Sequence, residues 1–385
     1  MIDRRYFLRG ASAGIGLSVV SRPLMAFAAV PTDRRFVFII QRGAADGLAT
    51  LAPVGDPAFA SVRTAFAEDA AAAAKLDPMF ALHPALAETA KLYAAKEALF
   101  VHAVASPYRE RSHFDGQNVL ETGGNLAYQL KDGWMNRLLT LLPQGEAKAL
   151  AVAPTVPAVL RGSFEVSSYA PSRLPDASDD LLTRVSALYE GDAQLHELWS
   201  NAVATRAQAG DMAAANAQNG AQSGAMAAKL LSGPAGARVA VIETNGWDTH
   251  ANQRGRLTAQ LSSLDQLLAS LKSGLGPDWA DTLVLVATEF GRTVAPNGTG
   301  GTDHGTGAMA MLAGGAAAGG KVIADWPGLA PAALFDGRDL KPTLDLDSLV
   351  AGALAQHYRL DPARTQRTLF PESRGKPLTS ALVRA

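Results

Sequence analysis

The chain has 385 residues, 48% of them hydrophobic, a formal net charge of -1 and no cysteine. That length and apolar content support a large core, in one big α/β domain or two ordinary ones. Near-neutral charge with scattered basic residues gives no polyanion-binding stripe, so no nucleic acid is expected, and the missing cysteine excludes disulfides, thiolate metal sites and a cysteine nucleophile.

The chain opens with Asp3-Arg4-Arg5-Tyr6-Phe7-Leu8-Arg9, a mildly apolar stretch over 10–20, and Ala26-Phe27-Ala28-Ala29. Adjacent arginines before Phe-Leu, a short apolar region and an A-x-A site form the pattern of a twin-arginine export signal, with cleavage expected after Ala28. Residues 1–28 then form a leader and 29–385 a single domain. The apolar stretch is too short and glycine-rich for a stable membrane span. The expected location is periplasmic or secreted, with the twin-arginine translocase as a partner during export.

Residues 35–40 read as a buried strand running into Gln41-Arg42-Gly43-Ala44-Ala45-Asp46-Gly47. A small-residue turn at a strand's end presents Asp46 at the sheet's carboxyl edge, where hard cations find oxygen ligands; Asp-Gly is also a common turn pair. Residues 57–96 carry a helical pattern, with His83 as a structural residue. A second strand, 98–105, leads into Ser106-Pro107-Tyr108-Arg109-Glu110-Arg111-Ser112-His113 and a helix through Leu120. Ser112 near a helix N-terminus reads as an N-cap, or as a nucleophile beside a candidate ligand, His113, and an anion clamp, Arg109 and Arg111.

A third strand spans 149–153. From about 154 to 236 the character changes: a hairpin strand near 163–169, a helix over 180–199, and a low-complexity Ala/Gln/Asn/Gly run over 202–228. This reads as an insertion with a loosely packed helical tip. The core resumes with a strand at 237–243 followed by Thr244-Asn245-Gly246-Trp247-Asp248-Thr249-His250, whose Asp-x-His could face one cation with mixed O and N donors. After a helix over 252–271, the apolar run 283–287 ends on Glu289, and glycines then flank Asp303 and His304. An acid closing a strand and a glycine-flanked Asp-His occupy positions where open α/β sheets bind ligands. Residues 321–326 and a helix over 346–358 finish the chain.

The twin-arginine leader together with R-G-A-A-D-G-L, R-S-H-F-D, G-W-D-T-H, T-E-F-G-R-T and G-T-D-H-G-T-G resembles the bacterial family called domain of unknown function 1501, over nearly the whole mature chain. That family in turn resembles the alkaline phosphatase and sulfatase superfamily. The resemblance implies an α/β fold, a three-layer sandwich around a mostly parallel sheet, that hydrolyses phosphate or sulfate esters with one or two divalent metal ions. Residue by residue, Asp46 matches the first-strand metal Asp and Ser112 the nucleophile. Asp248 and His250 match an Asp and His on one metal, at shorter spacing than usual. Glu289 stands where an Asp-His pair usually ends a strand, with Phe290 in the histidine's place, and His304 matches the last metal histidine.

The resemblance thus implies one oxygen-only site of Asp46, Glu289 and Ser112, suited to Mg, Mn or Ca, and a second of Asp248, His250 and His304, suited to Zn or Mn. His113 or Asp303 completes either. Without a cysteine, and without the spacing of the serine-derived formylglycine, a sulfatase is disfavoured. The expected function is an exported phosphate-ester hydrolase acting on a small-molecule or glycan ester, with Ser112 attacking and Arg109 or Arg111 holding nonbridging oxygens. Two alternatives are a non-catalytic envelope assembly or surface-binding protein on a degenerate scaffold, for which Phe290 speaks, and a phosphomutase-like enzyme, against which the export signal speaks.

Overall fold

A computed structural model describes residues 33–143, 148–153, 155–169, 179–209 and 219–384. The expected leader and its cleavage site lie outside the described residues. A nine-stranded sheet forms the centre. Its strands in chain order are β1 (Arg35–Gln41), β2 (Ala98–Ala105), β3 (Ala149–Val152), β4 (Ser167–Ser168), β5 (Val239–Thr244), β6 (Thr282–Ala287), β7 (Ala308–Ala313), β8 (Lys321–Ile323) and β9 (Leu344–Asp345). Across the sheet the order is β8-β2-β7-β6-β1-β5-β3-β4, with β9 also paired to β2. Only β7 runs antiparallel to its neighbours, β2 and β6; every other pairing is parallel.

The helices used below are α1 (Gly47–Thr50), α2 (Ala87–Ala94), α3 (His113–Thr122), α4 (Trp134–Leu139), α5 (Asp179–Tyr189), α6 (Ala193–Ala209), α7 (Gly220–Leu231), α8 (Gln253–Leu275), α9 (Leu346–Tyr358) and α10 (Pro362–Leu369). Period-two alternation in β1 builds the three layers. Phe36, Phe38 and Ile40 face a cluster with Trp134, Leu138, Leu349, Leu354 and Phe370, from α4, α9 and the end of α10. Val37 and Ile39 face the opposite cluster with Leu92, Leu230, Leu261, Leu264 and Leu268, from α2, α7 and α8. The fold is an α/β sandwich around a mixed, mostly parallel sheet. No helix among the described residues is long and apolar enough to cross a membrane.

Three segments differ from the sequence reading. Residues 57–96 do not form a continuous helix: they give short turns of helix, α2, and a small three-stranded sheet of Leu51–Ala52, Ala81–Leu82 and Ala74–Lys75. Asp77 organises the break by accepting the Met79 and Phe80 N–H groups. The Ala-Met alternation of β7 lacks the β-branched residues that advertise a strand, yet it lies buried between two strands. The low-complexity run ends in α7, which packs tightly on α8. A Cβ on Gly220 would stand 1.9 Å from Ser263 O, and one on Gly224 2.2 Å from Leu267 O. The absence of side chains there lets the two backbones approach.

Because β1, β2, β5 and β6 run the same way, the segments after Gln41, Ala105, Thr244 and Ala287 leave from one edge of the sheet. The segment that enters β7 arrives at that same edge. Four pieces of chain, the last of them running from β6 into β7, are thereby gathered over the middle of the sheet, the position where open α/β sheets carry their sites.

Candidate active site

At this edge an imidazole nitrogen of His113, a carboxylate oxygen of Asp248 and an imidazole nitrogen of His304 lie within 4.8 Å of one another. His250 joins them, its Nε2 at 3.0 Å from both His304 Nε2 and Asp248 Oδ1. Asp248 Oδ1 is also 3.3 Å from His304 Nε2, and Oδ2 is 3.4 Å from His113 Nε2.

Each ring is held from behind through Nδ1. His113 Nδ1 meets Glu289 Oε1 at 2.8 Å, His250 Nδ1 meets Asp303 Oδ1 at 3.1 Å, and His304 Nδ1 meets the Arg111 carbonyl at 2.9 Å. Two carboxylates and a carbonyl can only accept, so each Nδ1 carries a proton, and in the neutral form of each ring Nε2 holds the lone pair. Three Nε2 lone pairs and a carboxylate then face one another, an arrangement that repels itself unless protons or a cation lie between. Among the described residues His113 Nε2 is buried without a hydrogen-bond partner. Imidazoles whose second nitrogen is fixed by a carboxylate or carbonyl are the usual surroundings of a bound metal ion.

The backing groups are firmly placed. Glu289, 1% exposed, takes the Gly43 and Ala44 N–H groups and the Gln117 amide on Oε1, and the Thr288 hydroxyl on Oε2. Burial pushes its pKa up, but His113 and the backbone donors outweigh burial and leave it lowered. The Glu289 hydrogen bond raises the His113 pKa, whereas burial and the neighbouring His113 charge lower that of His304. Asp303 accepts the Asn297 amide, which leads in lowering its pKa.

Arg292 is the functional residue that sequence reasoning missed. Its guanidinium is buried and bonds the carbonyls of Ala44, Gly43, Trp247 and Thr302 as well as Asp248 Oδ1 at 2.5 Å. One side chain therefore ties three loops together and supplies a positive charge behind Asp248. For Asp248 burial works toward a higher pKa, and Arg292, His250 and His113 overcome it. The signal available was Arg292's place two residues past the phenylalanine after Glu289, within a motif already singled out. Gly43 serves the same convergence: at φ 117° it lets the backbone of its loop pass Asp248, whose nitrogen would be 2.6 Å from an added Cβ.

Several expected roles change. Asp46 does not turn toward the cluster. Its oxygens receive Arg63 Nη1 and Nη2 at 2.9 and 2.7 Å and Gln253 Nε2 at 2.6 Å, and it accepts the Ala49 N–H as N-cap of α1. Arg63 and Asp46 are both about 1% exposed, and the arginine overcomes the burial that would otherwise raise the Asp46 pKa. The oxygen-only set of Asp46, Glu289 and Ser112 therefore does not assemble, since the oxygens of both acids are already occupied. Arg109 directs Nη1 to the Ser106 and Tyr108 carbonyls. Arg111 pairs with Asp336 and Asp339. What Arg111 gives the site is its carbonyl, aimed at His304 by a left-handed φ of 62°.

Ser112 occupies the N-cap position of α3 but makes no capping bond with its side chain. Its N–H donates to the Tyr108 phenol, and its hydroxyl also bonds that phenol. Phe290, in place of a histidine, is 2% exposed and packs under the cluster, its ring centroid 5.1 Å from His113 and 5.3 Å from His304. It forms an apolar floor.

The family model described as "Protein of unknown function (DUF1501)" matches residues 33–369, and the chain belongs to that family. No curated protein matches the chain. Among solved structures, Ps i-CgsB in complex with k-i-k-neocarrahexaose is similar at 11% identity and TM-score 0.43, over 88% of this chain and 76% of that one. The C-terminal periplasmic domain of EcEptC from Escherichia coli is similar at 10% identity and TM-score 0.38, over 91% of both chains. Its complex with Zn is similar at 8% identity and TM-score 0.35, over 73% of this chain and 72% of that one.

Proposed function

We propose that this member of the DUF1501 family is a metal-dependent hydrolase of phosphate esters. The observation that carries the reading is the convergence of three imidazole Nε2 atoms on Asp248 while each Nδ1 is held from behind. His113 Nε2, buried and without a hydrogen-bond partner among the described residues, is the atom a cation would satisfy. His113, Asp248, His250 and His304 would hold it, and this nitrogen-rich set suits zinc, then manganese, better than magnesium or calcium. A bound divalent ion would supply Lewis-acid polarisation of a phosphoryl oxygen.

The chain's own residues do the rest. Arg292 keeps Asp248 ionised and oriented; Glu289 and Asp303 fix the tautomers of His113 and His250. Ser112 is the nucleophile in this reading. Its hydroxyl is not spent on capping α3, and the helix's first N–H groups are available to the nonbridging oxygens of an ester. Phe290 keeps water away from one side of the cluster.

Metal analysis of purified protein should find about one divalent ion per chain, as one convergent donor set requires. A screen of phosphate esters should find turnover that disappears, with the metal, in Asp248→Ala. A fully metallated protein inert toward every phosphate and sulfate ester would hand the lead to a non-catalytic binding role. That second reading rested on Phe290, and it is weakened because four donors converge without a side chain from position 290. Export follows from Arg4-Arg5 and the Ala26-Phe27-Ala28 site. Changing both arginines to lysine should trap precursor in the cytoplasm, and normal processing of that variant would refute it.

A further inference from the structure

His113, Gln117 and Glu121 follow one another at intervals of four along α3, so they stand on one face of the helix. Two side chains from the sheet edge are interleaved with them. Glu289 Oε1 sits between the first pair, 2.8 Å from His113 Nδ1 and 3.3 Å from Gln117 Nε2. Arg42, immediately after β1, sits between the second pair: its Nη1 donates to Gln117 Oε1 at 3.0 Å, and its Nη2 lies 2.9 Å from Glu121 Oε1. The far end is fixed as well, since Arg42 Nε donates to Glu243 Oε1 at 2.8 Å and Glu121 Oε2 accepts the Val159 N–H at 3.0 Å. A single file of polar contacts thus runs from the histidine cluster to the buried Glu121.

The chemistry of position 117 is restrictive. A guanidinium can only donate and a carboxylate can only accept, so a group between them must offer an acceptor to one side and a donor to the other, as an amide does. Arg42 therefore selects the orientation of the Gln117 amide, and the turned amide places its N–H on Glu289 Oε1. With Gly43, Ala44 and His113, that oxygen then meets four donors. Where it is held decides how the His113 ring points, and Nε2 of that ring faces Asp248 Oδ2 at 3.4 Å. A glutamate at 117 would set two carboxylates against each other. An apolar side chain there would break the file in the middle.

We propose that Gln117 is a positioning residue of the metal cluster: with its amide turned by Arg42, it holds Glu289 against His113 and so keeps that ring aimed at Asp248. This rests on the metal-binding reading above. The test measures zinc affinity by chelator competition, and the unfolding temperature of metal-free protein, for wild type, Gln117→Leu, Gln117→Glu, Arg42→Lys and the double variant Arg42→Lys/Gln117→Leu. Gln117 is only partly buried, and Arg42→Lys keeps a cation beside Glu121 and Glu243, so these variants should fold.

Zinc affinity should fall about tenfold in Gln117→Leu and toward about 100-fold in Gln117→Glu, the range that follows loss of groups supporting metal-bound imidazoles. The metal-free unfolding temperature of Gln117→Leu should drop by no more than about 4 °C. Arg42→Lys should match Gln117→Leu in affinity, and the double variant should bind no more weakly than Gln117→Leu alone, because both changes act through one contact. Wild-type zinc affinity in folded Gln117→Leu, whatever its unfolding temperature, makes the residue a brace for α3 and overturns the proposal while leaving metal binding intact. Additive losses in the double variant overturn the part given to Arg42. A wild type that binds no zinc overturns the positioning role together with the metal-binding reading.

Discussion

Gln253 donates to Asp46 Oδ2 at 2.6 Å, and its own side-chain oxygen accepts the hydroxyls of Thr249 at 3.0 Å and Thr302 at 2.6 Å. These threonines immediately precede His250 and Asp303, so the buried Arg63–Asp46–Gln253 chain clamps the two loops that form the His250–Asp303 pair. Gln253→Ala leaves two hydroxyls and a carboxylate oxygen short of partners. It should cost about 1–3 kcal/mol of stability and weaken divalent metal binding about tenfold. Chelator competition reads the second effect, and wild-type metal affinity in this variant would show that the loops need no clamp.

Asp303→Asn separates positioning from folding. Asp303 is about half exposed and backs His250. The unfolding temperature of the metal-free variant should stay within about a degree or two of wild type, as for most surface changes, while metal affinity falls about 10–100-fold. Unchanged affinity would mean that Asp303 is a loop polar with no part in the site.

Ser112→Ala asks whether the serine attacks. No capping bond is lost, but the hydroxyl's bond to the Tyr108 phenol is, so the change should cost about 0.5–1.5 kcal/mol of stability and leave the fold intact. Metal content should be retained and ester turnover abolished. Undiminished turnover in a metallated Ser112→Ala protein would assign the attack to water.

His102 sets an acid limit on stability. It is fully buried in β2, stacked on Phe80 and edge-on to Trp326, and burial lowers its pKa to about 4. The folded chain therefore keeps a neutral ring while the unfolded chain takes up a proton below its ordinary value of about 6.5. Stability should be intact above that value and be lost as pH falls from about 6.5 to about 4, by roughly 3 kcal/mol from this residue. Urea unfolding at several pH values, with chelator present, should show a flatter acid slope in His102→Gln; an unchanged slope would remove His102 as the cause.

What the sequence disclosed followed from how locally each feature is encoded. Asp248, His250, Glu289, Asp303 and His304 could be read because each follows a buried strand or sits between glycines, which is a short-range signal. His113 could be read from the same signal, although the ring it would join could not. The partner of Asp46 lay beyond reach, because Arg63 sits in a stretch whose periodicity suggested one helix and whose real structure is short turns fixed by tertiary contacts. Arg292 was legible as a motif letter, but its task depends on carbonyls from three separate loops. β7 and α7 were hidden by composition: Ala and Met favour helix in isolation, and glycines that look like disorder permit close helix packing.

β6 and β7 are immediate neighbours in the sheet, pairing Val286 with Met311 and Val284 with Ala313. The chain between them leaves and returns through adjacent doorways, roughly 4.8 Å apart, and in doing so contributes Glu289, Arg292, Asp303 and His304. It is bridged across its own waist at Arg292 and His304, below the exposed glycines 298 and 300. Such a stretch is a cassette: transplanted between relatives it would move four of the site's residues as one block, and the sheet would register no more than a change of ornament above two strands that remain where they were.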